Sequence, residues 1–155
     1  MGFDWGSFYN QLITSGATAC FTIVAGVVVF VTGQFAVKLF VEPIQYQSKL
    51  LGEIANALVY YANAFGYAKY TTPEALKEIS IVFRKQASDL YATAWSIKLY
   101  GLWQVLGIIP KKKNVLDAST QLIGLSNMIF RDGDTEYYKH FDEANKEIKR
   151  LLGFK

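Results

Sequence analysis

Residues 17–37, with the sequence ATACFTIVAGVVVFVTGQFAV, determine how this chain is organised. No Asp, Glu, Lys or Arg occurs between Trp5 and Val37. A helix needs about 20 predominantly apolar residues, at a rise of about 1.5 Å each, to cross roughly 30 Å of hydrocarbon. The stretch meets this requirement, so the sequence predicts a transmembrane helix over residues 17–41.

Two other structures can produce an apolar stretch near an N-terminus. A signal peptide carries a basic segment, an apolar region of about 7–15 residues and a small-x-small cleavage site. Here the one charge before the stretch is Asp4, and the apolar region is longer. A core helix of a soluble protein usually keeps a polar face. The pattern therefore favours a retained anchor.

The distribution of basic residues predicts the orientation of the anchor. All 16 Lys and Arg follow Val37. Because positive charge accumulates in cytoplasmic segments, we expect residues 42–155 to be cytoplasmic and the N-terminus to lie outside the inner membrane. Residues 1–16 then form an outer interfacial segment, with aromatic side chains at headgroup depth: Phe3, Trp5, Phe8 and Tyr9.

Small and polar residues recur along one side of the predicted anchor. Thr18, Thr22 and Gly26 are four residues apart, and Gly33 follows Gly26 by seven. Such a stripe lets membrane helices approach closely, and Gln34 adds an amide that prefers a partner or water. We expect a homo-oligomer in which the stripe either packs against a neighbour or lines a pore. We call Thr18, Thr22, Gly26, Gly33 and Gln34 the small-residue stripe.

The remaining residues predict an all-α cytoplasmic domain, a bundle of four to five helices. Pro43 predicts a kink or a restart after the anchor. Apolar residues at helical spacing predict helices over residues 44–67, 73–98, 115–130 and 136–152. Thr72 and Pro73 are typical of a helix start, and Gly153 of a helix end. Asp134 or Thr135 is the expected N-cap of the last helix.

The apolar segment 100–109, YGLWQVLGII, is too short to span a membrane. Two interpretations are open: an interfacial segment, or a short helix that caps the bundle core with Trp95 and Trp103 against it. The second is favoured. The polar face of helix 44–67 also has two interpretations, a solvated surface, which is favoured, or the lining of an oligomeric vestibule; its members include Glu53, Asn56, Asn63 and Tyr67.

Three consecutive lysines, Lys111, Lys112 and Lys113, follow Pro110 in a predicted loop. They suit a solvated loop, contact with anionic lipid, or binding of an anionic ligand such as a nucleotide. In the third case aromatic and cationic neighbours would contribute, namely Arg84, Lys85, Trp95 and Trp103. We therefore predict that the three lysines contact the membrane or an anion.

Catalytic and metal-binding patterns are weak. His140 is the only histidine and Cys20 the only cysteine. Asp132, Asp134 and Glu136 resemble the start of a calcium loop, but the glycine that such a loop needs is replaced by Tyr137. Arg131 and His140 are too far apart for the Arg–His pair of small helical ribonucleases. We therefore expect no enzyme activity, no cofactor and no metal.

Four segments carry a resemblance to known proteins: residues 39–45 (LFVEPIQ), 51–55 (LGEIA), 60–63 (YYAN) and 122–127 (LIGLSN). They resemble a family of small prokaryotic membrane proteins of unknown function. The resemblance implies one N-terminal anchor followed by a helical cytoplasmic domain, and it implies no site residues.

Three functional hypotheses follow. The first, which we favour, is a non-enzymatic homo-oligomeric membrane scaffold or adaptor whose partners are the lipid bilayer, other copies of itself and a further protein. The second is an oligomeric pore or defence effector, gated by a ligand at the basic loop and similar in layout alone to small one-anchor proteins that accompany some CRISPR systems. The third is a sensor that binds an anionic ligand at that loop.

Overall fold

The computed structural model describes residues 4–66, 71–130 and 136–154. Within these ranges the chain is helical apart from turns and caps, and no strand occurs. The predicted all-α class is therefore confirmed. The chain divides into two compact units, Met1–Leu39 and Phe40–Lys155.

The first unit consists mainly of α1 (Trp5–Ala36). The Asp4 carboxylate caps it by accepting hydrogen bonds from the backbone N–H of Gly6 at 3.0 Å and of Ser7 at 3.3 Å. From Trp5 onward, the expected outer segment thus belongs to the same helix as the predicted span, while Phe3 lies outside the described residues. No side chain of α1 is buried.

A π-helical segment, Val37–Val41, follows α1 and leads into α2 (Glu42–Tyr60). Pro43 stands in the first turn of α2, where the absence of a backbone N–H is tolerated because the first N–H groups of a helix have no partner within it. The prediction was a kink or a restart near Pro43; the structure shows a change from π-helix to α-helix at Glu42, and the backbone of Val41 stays helical (φ −85°, ψ −49°).

The second unit buries its core among α2, α3 (Ala62–Gly66), α4 (Pro73–Ser96), α6 (Lys112–Met128) and α7 (Glu136–Leu152). α4 packs on α2 and α6, and α7 packs on α6 and α3. The predicted apolar faces supply this core, whose fully buried members include Ile54, Leu58, Phe83, Leu90, Leu122 and Ile148.

The single helix predicted over residues 44–67 is wrong, because Tyr61 interrupts it. Its backbone (φ −91°, ψ 2°) leaves the helical region, and α3 begins at the next residue. The break brings Phe65 into the core, where its ring lies 5.7 Å from that of Phe83 and stacks on Phe141 at 4.2 Å. Tyr67 lies outside the described residues.

The helix ends follow the predicted capping chemistry. The Thr72 hydroxyl accepts from the Ala75 N–H at 3.3 Å, and α4 starts at Pro73 as predicted. At the end of α7, Gly153 adopts a left-handed φ of 76°, and the Phe154 N–H donates to the Lys149 carbonyl at 2.9 Å. A glycine there closes the helix without steric strain. Asp134 and Thr135 lie outside the described residues.

Residues 97–113 differ from the prediction in two ways. A short helix, α5 (Tyr100–Val105), does form, but Ile97, Tyr100 and Ile109 make a small cluster separate from the main core, with Ile44 and Trp103 packed against it. Trp95 does not join it and is 60 % exposed. The predicted lysine loop is also wrong, since Lys112 and Lys113 form the first turn of α6.

Candidate membrane-contact and assembly surfaces

The small-residue stripe of α1 is an open surface. Thr18, Thr22 and Gln34 are exposed, and a Cβ placed on Gly26 or Gly33 has no atom within 4 Å apart from its chain neighbours and the adjacent backbone of α1. The N-terminal part of the stripe borders a shallow concavity, which is lined by Thr14, Ser15, Thr18, Ala19, Thr22 and Ile23. This side of α1 thus has room for the backbone of another helix.

The threonine hydroxyls of α1 are satisfied inside the helix. Thr18 Oγ1 donates to the Thr14 carbonyl at 2.8 Å, and Thr22 Oγ1 donates to the Thr18 carbonyl at 2.9 Å. Thr32 makes the same bond to Val28 at 2.8 Å. Because each hydroxyl bonds the carbonyl four residues earlier, these threonines need neither water nor a polar lumen.

Gln34 differs from the threonines. No described residue forms a hydrogen bond with its side-chain amide, which is exposed near the end of α1. In hydrocarbon an unpaired amide is unfavourable, so there this group would need a partner other than the described residues. Self-association would supply the same amide from a second copy.

Aromatic rings gather at the start of α1. The Trp5 ring lies 6.3 Å from that of Phe8 and 6.5 Å from that of Tyr9. All three side chains are exposed. Amphipathic rings of this kind settle at the boundary between headgroups and hydrocarbon.

The three lysines open α6 at its positive end. Lys111 is the N-cap residue and makes no side-chain capping bond; instead, Gln104 Oε1 of α5 accepts from the Lys112 N–H at 3.1 Å. Lys112 Nζ lies 3.6 Å from the centre of the exposed Trp95 ring, a cation–π contact. Basic side chains at this end oppose the helix dipole, which favours anions nearby.

Two other residues expected to contribute to an anionic-ligand site, Arg84 and Trp103, form hydrogen bonds elsewhere. Arg84 donates to Asn127 Oδ1 at 2.6 Å and lies about 16 Å along α4 from Trp95. Trp103 Nε1 donates to the Lys98 carbonyl at 3.1 Å. Only Trp95 is brought to the lysines by an observed contact.

Apolar side chains on one side of α5 are exposed. They follow a helical spacing of three and four residues, and Val105 reaches 82 % exposure. The opposite side of α5 carries Tyr100, Trp103 and Gln104, which face the protein. The sequence shows that this segment is apolar, but it does not show which side faces solvent. We call the exposed set the α5 surface: Leu99, Leu102, Val105, Leu106 and Ile108.

The polar face of α2 and α3 is exposed at all three of its predicted, described positions, Glu53, Asn56 and Asn63. Glu53 forms an ion pair with Lys49 at 3.7 Å, and both side chains are largely solvent-accessible. Such a pair contributes little to stability. The face remains available to water or to a partner.

A buried polar network lies beneath the α5 surface and was missed by sequence reasoning. Gln47 is fully buried, and its Nε2 donates to Thr93 Oγ1 at 3.2 Å and to the Tyr100 hydroxyl at 3.3 Å. Tyr100 in turn donates to the Pro110 carbonyl at 3.0 Å. Burial raises the pKa of Tyr100, and the bond from Gln47 partly opposes that rise. A glutamine on an otherwise apolar side of α2 was the available signal.

A groove of about 400 Å³ separates the end of α7 from the connection between α5 and α6. Its described lining is mostly apolar, and its cation, Arg150, already binds Glu147 through two hydrogen bonds of 2.6 and 2.8 Å. Among the residues described, no three His, Cys, Asp or Glu side chains group closely enough to hold a metal ion. His140 lies 3.7 Å from Glu143, and both are exposed.

Comparisons with family models, with curated proteins and with solved structures found no significant match to this chain. Its function must therefore be inferred from the surfaces described above.

Proposed function

We propose that this protein is a non-enzymatic, homo-oligomeric membrane scaffold or adaptor. α1 spans the inner membrane with its N-terminus outside, and the helical unit that follows lies in the cytoplasm. The observation that carries this proposal is the complete exposure of an apolar helix: α1 meets the length and composition of a span, and none of its window is buried. Lipid is the environment in which such a surface is stable.

Two features of α1 support self-association. The small-residue stripe offers close backbone approach, and the Gln34 amide has no described partner within the chain. Identical helices that meet along Gly26 and Gly33 gain the close approach. Gln34 follows Gly33 and lies about 100° further around the helix, where a second copy can offer it an amide partner. The internal hydrogen bonds of the threonines favour packing over a polar lumen, since those hydroxyls are already paired. The exposed polar face at Glu53, Asn56 and Asn63 is the surface we assign to a protein partner.

The mass of the full-length protein in detergent tests this proposal, with the detergent contribution subtracted from the light-scattering signal. We expect a discrete multiple of 17.4 kDa in the membrane fraction. The double variant Gly26→Leu/Gly33→Leu should reduce the assembly towards the monomer, because leucine separates the backbones. Val24→Leu/Val31→Leu, which has the same spacing on the opposite side of α1, should leave the mass unchanged.

A monomeric wild-type protein would refute the scaffold. A chain recovered without its first residues, and therefore lighter than 17.4 kDa, would identify the apolar helix as a cleaved signal sequence. A ring-sized assembly that conducts ions in liposomes would replace the scaffold with the pore.

A further inference from the structure

We propose that the α5 surface docks onto the anionic cytoplasmic face of the bilayer in which α1 is anchored. This inference rests on the proposed membrane anchoring of α1. It assigns a membrane-contact role to residues 98–113, namely five exposed apolar side chains flanked by lysines.

The α5 surface is exposed although the other side of the same helix is buried. Leu102, Val105 and Leu106 are 51 %, 82 % and 58 % exposed, while Tyr100 on the other side of the same short helix is 7 % exposed. Tyr100 is held inward by its bonds to Gln47 and to the Pro110 carbonyl. The buried network therefore fixes which side of α5 the protein presents outward.

The charges around the α5 surface complement anionic lipid. Lys98 precedes it and Lys111, Lys112 and Lys113 follow it, and those at 98, 111 and 113 are exposed. Lys112 Nζ lies over the exposed Trp95 ring, so an indole and an ammonium group stand together near the start of α6. Tryptophan and lysine beside exposed aliphatic residues are typical of segments that lie in the headgroup region.

The connection between the α5 surface and the first unit is short. Ile44 packs against the cluster of Ile97, Tyr100 and Ile109 that supports α5. Leu39, where the first unit ends, is only five residues earlier, so Leu39 and Ile44 are at most about 18 Å apart. A short connection to the anchor favours repeated encounters between the α5 surface and the bilayer.

Depth-dependent quenching in the full-length chain tests the docking. The protein is labelled with an NBD fluorophore at a single cysteine and reconstituted into vesicles of phosphatidylcholine and phosphatidylglycerol that contain doxyl-labelled lipid. Val105→Cys reports the α5 surface, and Val59→Cys is the matched control, since Val59 is 68 % exposed but lies on α2 about 22 Å along the helix from Ile44. Both are made with Cys20→Ser. Cys20 itself, labelled in the native sequence, reports α1.

We expect the doxyl lipid to quench the labels at positions 20 and 105 and to leave the label at position 59 unquenched. Lys111→Gln/Lys113→Gln should weaken docking in the anionic vesicles, by roughly fivefold in the docking equilibrium per lysine. Vesicles of phosphatidylcholine alone should weaken the docking of the wild-type chain at least as much, because they also remove the attraction to Lys98 and Lys112.

Quenching at position 20 together with equal, absent quenching at positions 105 and 59 would overturn the docking and leave the anchor intact. A label at position 105 that shifts to the blue without quenching would show that protein, rather than lipid, covers the surface. No quenching at position 20 would overturn the anchor and the docking together.

Discussion

α1 and the helices of the second unit are both rich in apolar residues, yet their side chains have opposite surroundings. In α1 no side chain is buried, and its hydroxyls bond to its own backbone. In α4, by contrast, one face is fully buried, and Ser80 reaches across to the Ser126 carbonyl of α6 at 2.8 Å. Apolar composition alone therefore does not define a core, because the spacing of the polar residues decides whether a helix has one face that packs against protein.

Removing a buried aromatic ring should give the largest difference in stability between the second unit and α1. Phe83→Ala should lower the free energy of unfolding by about 3–5 kcal/mol, because Phe83 is fully buried between Tyr61 and Phe65. Phe21→Ala in α1, where the ring is 81 % exposed, should change it by less than about 0.5 kcal/mol. Chemical denaturation in detergent, followed by tryptophan fluorescence, measures both. Equal losses would mean that α1 has a protein-covered face.

Truncating the buried network should have an intermediate effect. Gln47→Ala removes the donor to Thr93 and Tyr100 and leaves a void in a fully buried site. We expect a loss of about 1–3 kcal/mol in the same denaturation experiment. Gln45→Ala, at an exposed position on the same helix, should stay within about 0.5 kcal/mol of wild type. A neutral Gln47→Ala would show that the network does not hold α5 in place.

The pH dependence of the free energy of unfolding should report the burial of Tyr100, with a smaller effect than the two substitutions above. Burial raises the pKa of Tyr100 above the ordinary tyrosine value of about 10. Above about pH 10 the unfolded phenol loses its proton while the folded one keeps it, so the unfolded chain binds fewer protons and stability falls as pH rises. Tyr100→Phe should reduce that fall, measured by denaturation between neutral pH and pH 11. A fall that Tyr100→Phe leaves unchanged would show that this phenol does not cause it.

The smallest effect is expected in α1. Thr18→Val/Thr22→Val keeps the size of both side chains and removes hydroxyls that bond within the helix. The mass of the detergent-solubilised assembly should therefore equal that of wild type. A change in that mass would mean that the hydroxyls bond between helices, in contrast to the contacts described here.

The helix starts and ends in the second unit were largely predictable because their chemistry is local. Thr72 with Pro73 and Gly153 each fix one helix end through neighbouring backbone groups. The break at Tyr61 was not predictable, because it depends on Phe65 reaching Phe83 and Phe141 across the fold. The helical conformation of the lysines was not predictable for the same reason. Gln104, from another helix, accepts a hydrogen bond from the Lys112 N–H, and Lys112 and Lys113 form the first turn of α6.

The candidate surfaces were predictable to different degrees. Spacing alone predicts the small-residue stripe, since the faces of one helix follow from its own sequence, and the role of the stripe in assembly stays a prediction. The outward side of α5 could not be inferred in this way, because Gln47 and the Pro110 carbonyl, far apart in sequence, hold Tyr100 inward. Residue types near the patch were visible in the sequence, whereas their exposure is a property of the packed unit.

The reactivity of Cys20 distinguishes lipid from water around α1, and so tests whether this helix is a membrane anchor. The thiol is exposed in the structure, so in water it would react readily with a membrane-impermeant maleimide. In intact membranes we expect no labelling of Cys20, full labelling after denaturation in detergent, and labelling of Ser7→Cys, made with Cys20→Ser, from the outer side. Rapid labelling of Cys20 in untreated samples, with the protein released by alkaline carbonate, would contradict the membrane anchor.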